Sequence, residues 1–107
     1  MDIMKLMQQA QEMQGRLQQI QDDLATRSVT GTAGGGMVRV EADGKGNVRE
    51  VKIDPSVVNA DDVAMLEDLV TVALRDAQQK ARALEEAEMG KATGGMGGMD
   101  LPFQLPF

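Results

Sequence analysis

The chain has 107 residues, a net formal charge of −6, no cysteine and no histidine. Without cysteine there is no disulfide framework, and without histidine the chain lacks the usual acid–base group of neutral pH and the commonest metal ligand. We therefore expect neither an enzyme nor a cofactor site. Only two residues are aromatic, so the core must be aliphatic. Small domains with little apolar area to bury often gain stability by oligomerising.

Basic residues are concentrated in the middle of the chain. Residues 27–53 carry five basic against three acidic side chains, although the whole chain is acidic. No segment approaches the length of a transmembrane helix, and the N-terminal residues lack the layout of a signal peptide. We therefore expect a cytoplasmic protein without a membrane partner.

The first predicted element is a helix over residues 3–27. Apolar residues recur in it at the steps of a heptad seam, and no proline interrupts them. Such a helix is about 37 Å long. A small sheet covers only part of that length, so the seam must also contact another helix or a second copy. We predict a homodimer whose interface contains the seam residues Ile3, Leu6, Ala10, Met13, Leu17, Ile20 and Leu24.

Three basic residues of this helix are spaced by eleven. Lys5, Arg16 and Arg27 are predicted to lie on nearly one line beside the seam, and such a row can follow a phosphate backbone. The alternative is local ion pairing, because an acidic residue precedes each of them by three or four positions. From the residues alone, local pairing is the preferred interpretation.

Residues 28–54 are predicted to form strands. Val38, Val40 and Ala42 alternate with charged residues, and a second apolar run follows a turn rich in glycine. This pattern predicts a β-hairpin. Residues 28–33 are a candidate third strand, and residues 34–36, all glycine, form the corner between it and the hairpin.

The hairpin register has two interpretations. An unbulged pairing places Ala42 opposite Asn47 and Val38 opposite Val51, and it is the preferred one. A bulge, at Gly46 or near Arg49, would instead bring Val48 to the apolar face.

A second helix is predicted over residues 60–89, with Asn59 as its N-cap and Gly90 as the residue that ends it. Its N-terminal half is the more apolar and is expected to pack on the sheet. Its C-terminal half narrows to alanines at three- and four-residue steps, which suits close contact between helices.

Residues 91–107 are predicted to be a flexible Gly/Met-rich tail, outside a single domain of residues 1–90. The tripeptide Leu-Pro-Phe occurs twice in it, at 101–103 and 105–107. The alternative to a plain tail is a docking peptide whose two Phe side chains insert into a groove.

Residues 4–14, residues 31–58, and residues 67–70 with 88–95 form three segments in a characteristic order. The middle segment, with the motifs Ala33–Val38 and Val51–Pro55, is the most specific. Together they resemble the YbaB/EbfC family of bacterial nucleoid-associated proteins. The resemblance covers about residues 3–98. It implies an α+β fold with an α-β-β-β-α protomer, in which a small antiparallel sheet is flanked by two long helices. It also implies an intertwined homodimer that binds DNA in the nucleoid with little sequence preference.

The resemblance transfers no catalytic motif, so candidate DNA contacts are inferred from charge and spacing. Phosphate contacts need exposed basic side chains. The candidates are Lys5, Arg16 and Arg27 on the first helix with Arg39, Lys45, Arg49 and Lys52 on the hairpin. The alternative function is a coiled-coil scaffold that binds protein partners through its helices or its tail. No small-molecule substrate is expected in either case.

Overall fold

The computed structural model describes residues 2–92, and the order of its elements confirms the α-β-β-β-α protomer. Helix α1 spans Ile3–Leu24, strands β1, β2 and β3 span Ser28–Ala33, Val38–Asp43 and Val48–Ile53, a short 3-10 turn covers Pro55–Val57, and helix α2 spans Val63–Ala92. The candidate third strand is β1. The predicted tail from residue 93 onward lies outside the described residues.

Helix α1 ends three residues before the predicted end. The backbone N–H of Ala25 donates to the Gln21 carbonyl, and the Thr26 hydroxyl donates to the Asp23 carbonyl at 2.7 Å. These bonds satisfy carbonyls that the last helical turn leaves without a partner. Arg27 therefore lies in the connection to β1 and not on the helix.

The three strands form one antiparallel sheet in the order β1-β2-β3. The preferred unbulged register is wrong, and the bulged alternative is correct. Val40 pairs with Val51 and Ala42 pairs with Val48, so Arg49 is an extra residue in β3. Opposite residues share a face, and the bulge therefore keeps Val48 on the same face as the buried Ala42.

The β2–β3 turn is the physical reason for the bulge. The Asp43 carboxylate accepts hydrogen bonds from the backbone N–H groups of Lys45 at 2.8 Å and Asn47 at 3.0 Å, and from the Asn47 amide at 3.1 Å. Gly46 takes a φ of 90°, a conformation that favours glycine. The Asp43 N–H also donates to the Asn47 carbonyl, so Asp43 faces Asn47. From that starting point a regular ladder would place Glu50 opposite the buried Val40, and one extra residue in β3 places Val51 there instead.

Helix α2 packs on β1 and β2, and its apolar N-terminal half takes part as expected, because Leu66, Leu69, Val70 and Leu74 pack against the buried core. Ala73, Ala77 and Ala81 are buried, whereas Val63 and Val72 are about half exposed. The closest approach is at Gly31 of β1. The core that this contact encloses consists of Ala33, Val38, Val40, Ala42, Val57, Ala73 and Ala77.

Both predicted ends of the second helix are wrong. Asp62 caps α2 by accepting the Met65 N–H at 3.2 Å, while Asn59 caps the preceding turn through the Asp61 N–H. At the other end α2 continues through Gly90 to Ala92. Gly90 does not take the positive φ of a residue that ends a helix, which only Gly34, Gly35, Gly36 and Gly46 show within residues 2–92.

Helix α1 is anchored at its base and leaves the sheet. Leu24 is 1% exposed, because the β2–β3 turn closes on it: the Gly44 N–H donates to the Leu24 carbonyl at 2.9 Å. Met13, Leu17 and Ile20 are half-buried, and Ile3 and Leu6 are exposed. The apolar seam of α1 is thus used within the protomer at its C-terminal end and uncovered at its N-terminal end.

Candidate nucleic-acid interface

Helix α1 presents two basic side chains without local partners. Lys5 and Arg16 are exposed, and neither takes part in an ion pair within residues 2–92. The local pairs favoured by the sequence do not form. Asp2 instead caps the helix by accepting the Met4 N–H at 2.9 Å. Eleven residues of helix separate the two cations by about 16 Å.

A second group of cations lies where α1 meets the C-terminal part of α2. Arg27 Nη1 is 3.4 Å from Glu88 Oε1, and Lys91 Nζ is 3.6 Å from the same oxygen. Arg16, Asp23 and Lys91 line one groove of about 300 Å³ beside them. Three cations therefore meet two carboxylates, leaving a positive excess. Lys91 is not among the sequence-predicted candidates, because a helix that ends at Gly90 would leave it in the tail.

The open face of the sheet has no such excess. Arg39 and Lys52 are register partners there, and so are Glu41 and Glu50. Lys52 Nζ lies 3.4 Å from Glu50 Oε1, and Arg39 Nε donates to the Gly36 carbonyl at 3.3 Å. Two cations and two carboxylates therefore balance on this face.

Two other hairpin candidates are placed differently. Arg49 is held by the chain, since its guanidinium donates to the Ser28 hydroxyl at 3.0 Å and to the Ala25 carbonyl. Lys45 is exposed in the β2–β3 turn, where it lines a groove of about 300 Å³ with Arg82 and Glu85. The structure does not bring the seven sequence-predicted candidates into one surface.

The two edge strands of the sheet differ in whether their backbone groups are free to pair with another strand. At the β1 edge, the Thr32 N–H donates to Asp76 Oδ2 at 3.0 Å, and Lys80 Nζ donates to the Thr30 carbonyl at 2.9 Å. The Thr32 N–H and then Lys80 lower the pKa of Asp76. Side chains of α2 thus occupy backbone groups that would otherwise be open to pairing with another strand.

The β3 edge carries an uncovered apolar row. Val48, Val51 and Ile53 lie opposite the buried Ala42, Val40 and Val38, yet they are 43%, 43% and 39% exposed because α2 covers only β1 and β2. We call these three residues the β3 row. An exposed apolar surface beside an open strand edge is typical of an interface.

The described part of the chain has neither an acidic cluster placed to hold a metal ion nor a helix that could span a membrane. Residues 2–92 contain no group of three or more acidic side chains arranged to hold a metal ion. Neither α1 nor the described length of α2 is long and apolar enough to cross a membrane.

Comparison with known proteins gives concordant matches. The model of the YbaB/EbfC DNA-binding family matches residues 1–96. A nucleoid-associated protein of Desulfotalea psychrophila is 50% identical over 101 residues, covering 94% of this chain and 95% of the relative. One of Gemmatimonas aurantiaca is 46% identical over 107 residues, covering all of both chains. The crystal structure of an uncharacterized Helicobacter pylori protein superposes with a TM-score of 0.71 at 26% identity, covering 90% of this chain and 98% of that one.

Proposed function

Because the chain belongs to the YbaB/EbfC DNA-binding family, we propose that it acts as a homodimer that binds double-stranded DNA through the phosphate backbone. The family is nucleoid-associated and DNA-binding, which assigns the general function. The proposal adds the oligomeric state, the mode of contact and the surface. It also places the protein at the nucleoid, in the bacterial cytoplasm.

We choose the DNA-binding surface from the unpaired cations of α1. Lys5 and Arg16 have no carboxylate partner within residues 2–92 and lie on a helix that leaves the sheet. Arg27 and Lys91 add charge at its base, where they share Glu88. Fields within a Debye length of about 8–10 Å govern a contact, so a local excess of cations can bind phosphate on an acidic protein.

The hairpin cations are the weaker candidates. Arg39 and Lys52 face two glutamates, and Arg49 is held by Ser28 and Ala25. Using these side chains for phosphate would require breaking contacts that they already make. Contacts of either set to phosphate read no base sequence, so we expect little sequence preference.

The β3 row supports the homodimer. The β1 edge is occupied by Asp76 and Lys80, whereas β3 offers both an apolar face and an open edge. We therefore place the second copy against β3. Of the seam residues predicted for the interface, Leu24 is already buried within the protomer.

The test is a salt titration of DNA affinity by fluorescence anisotropy, on two duplexes of unrelated sequence. Affinity should be similar for both duplexes and should fall with salt. Substituting Lys5→Gln with Arg16→Gln should weaken binding. It should also reduce the slope of log K against log salt by about 0.9 per lost contact, or about 3.6 for four contacts in a dimer.

Two matched variants complete the test. Arg39→Gln with Lys52→Gln removes the same charge from the sheet face, and Arg75→Gln removes an exposed α2 cation that has no ion pair within residues 2–92. We expect both to bind nearly as wild type does. If the α1 variant is unchanged and the sheet variant loses affinity, the surface assignment is wrong.

The scaffold alternative is favoured by one observation, the apolar N-terminal part of α1. Ile3, Met4 and Met7 are 70%, 78% and 60% exposed there, and such apolar side chains do not contact phosphate but suit a protein partner. Absence of wild-type DNA binding at low ionic strength would favour the scaffold over the DNA-binding dimer.

A further inference from the structure

The uncovered part of the α1 seam begins where α2 ends. Arg16 and Ile20 of α1 line the same groove as Ala92, the last residue of α2. Toward the C-terminal end of α1 the seam is half-buried or buried, and toward the N-terminal end it is exposed. The chain itself continues past Ala92 for fifteen residues at this boundary.

We call Ile3, Leu6, Met7 and Ala10 the α1 stripe. At 100° per residue these four side chains fall within about one third of the helix circumference. Ile3, Leu6 and Met7 are 70%, 47% and 60% exposed. The stripe continues the same seam as Met13, Leu17 and Ile20, which are half-buried, and Ile20 lines a groove with Ala92 at the end of α2.

The sequence after Ala92 has a pattern that matches the stripe. In Leu101–Phe107, large apolar residues alternate with Pro102, Gln104 and Pro106. An extended chain places alternate side chains on one face, so four apolar side chains would form a strip about 20 Å long. Proline keeps the residue before it out of the helical conformation, which favours the extended form at Leu101 and Leu105.

The linker between Ala92 and Leu101 is long enough to reach the stripe. Ile3 to Ala10 spans about 10 Å of helix, and Ala10 lies about 9 Å from Arg16 along the axis. Nine residues link Ala92 to Leu101, a reach of up to about 30 Å. The linking residues 93–100 are half glycine and carry one charge, Asp100. Nothing in this linker prevents the chain from folding back along α1.

We propose that residues 101–107 dock on the α1 stripe of their own chain, as an extended apolar strip that continues the cover α2 provides. The docked segment replaces water over the apolar tip of α1. It leaves Lys5 and Arg16 accessible, because these side chains project about 130–150° away from the centre of the stripe. The inference does not depend on the proposed DNA surface.

The chain contains no cysteine, so one spin label can be placed cleanly. Full-length protein with Gln104→Cys carries a nitroxide, and the methionine methyl groups are labelled with carbon-13. Docking predicts that the Met4 and Met7 methyl signals are broadened, while the Met65 signal on the far end of α2 is not. The comparison is the same labelled protein with Phe103→Ser and Phe107→Ser, in which the broadening should be lost.

Two further samples test whether residues 101–107 dock on the α1 stripe of their own chain or on that of a second copy. The labelled protein with Ile3→Gln and Leu6→Gln should also lose the broadening, and its unchanged circular dichroism shows that it is folded. A mixture of nitroxide-labelled protein without carbon-13 and carbon-13 protein without nitroxide should show no broadening. Broadening in the mixture would overturn docking within one chain in favour of a second copy. Equal Met4 and Met7 signals with and without the two Phe side chains would overturn docking altogether.

Discussion

Replacing Gly31 by alanine should be among the most damaging single-methyl changes available in this protein. A Cβ atom at Gly31 would lie 2.1 Å from the Ala73 carbonyl oxygen and 2.3 Å from the Ala77 nitrogen. Ordinary contact begins near 3.4 Å, so the helix and the sheet must separate by more than 1 Å. Both neighbours are backbone atoms of α2, so a change of side-chain rotamer cannot relieve the clash.

The expected loss of stability follows from the core contacts that this separation would break. Val38, Val40, Ala73 and Ala77 have no exposed surface and would lose their contacts together. Overpacking of a core typically costs 1–3 kcal/mol, and the backbone clash places Gly31→Ala at about 3 kcal/mol or more. Small domains have a total stability of about 5–15 kcal/mol. For a domain of this size, 3 kcal/mol lowers Tm by about 12–24 °C.

The assay is thermal unfolding by circular dichroism at one protomer concentration, since a dimer's Tm depends on concentration. Gly15→Ala is the matched control. Nothing lies within 4 Å of a Cβ at Gly15, and alanine in a helix is favoured over glycine by about 1 kcal/mol, so its Tm should be unchanged or higher. A Tm for Gly31→Ala within about 4 °C of wild type would refute the close-packing argument.

Three further predictions concern the dimer, acid stability and the C-terminal segment. Val51→Lys should reduce the mass measured by light scattering to the chain mass of 11.5 kDa, whereas Val72→Lys on the outer side of α2 should not; equal masses would exclude the β3 row as the interface. The Asn47 N–H lowers the pKa of Asp43 below its usual value near 3.8, so the stabilisation is present above that value and lost as pH falls below it. The urea midpoint of unfolding should therefore be steady between about pH 5 and 7 and should decrease as the pH falls below about 4. The decrease should be less steep in Asp43→Asn, and the same pH profile in both proteins would contradict this prediction. Deleting residues 93–107 should leave Tm within a few degrees, because the core lies in the sheet and α2; a large loss would place the segment in that core.

The elements themselves are determined by local sequence. The heptad spacing from Ile3 to Leu24 specifies a helix without reference to the rest of the chain, and the alternation at Val38, Val40 and Ala42 specifies a half-buried strand. Each pattern is a property of neighbouring residues, because backbone geometry alone sets the periods of 3.6 and 2. The family resemblance rests on the same local segments and correctly implies their order.

What packs against what is decided by contacts distant in sequence. Ala73 and Ala77 of α2 lie directly against β1 because Gly31 has no side chain to hold the helix away. Arg27 pairs with Glu88, 61 residues along the chain, instead of with Asp23. The hairpin shifts its register because Asp43 uses its carboxylate to close the turn. Periodicity indicates which face of an element is apolar, but the space available on the opposing surface determines how closely the two approach.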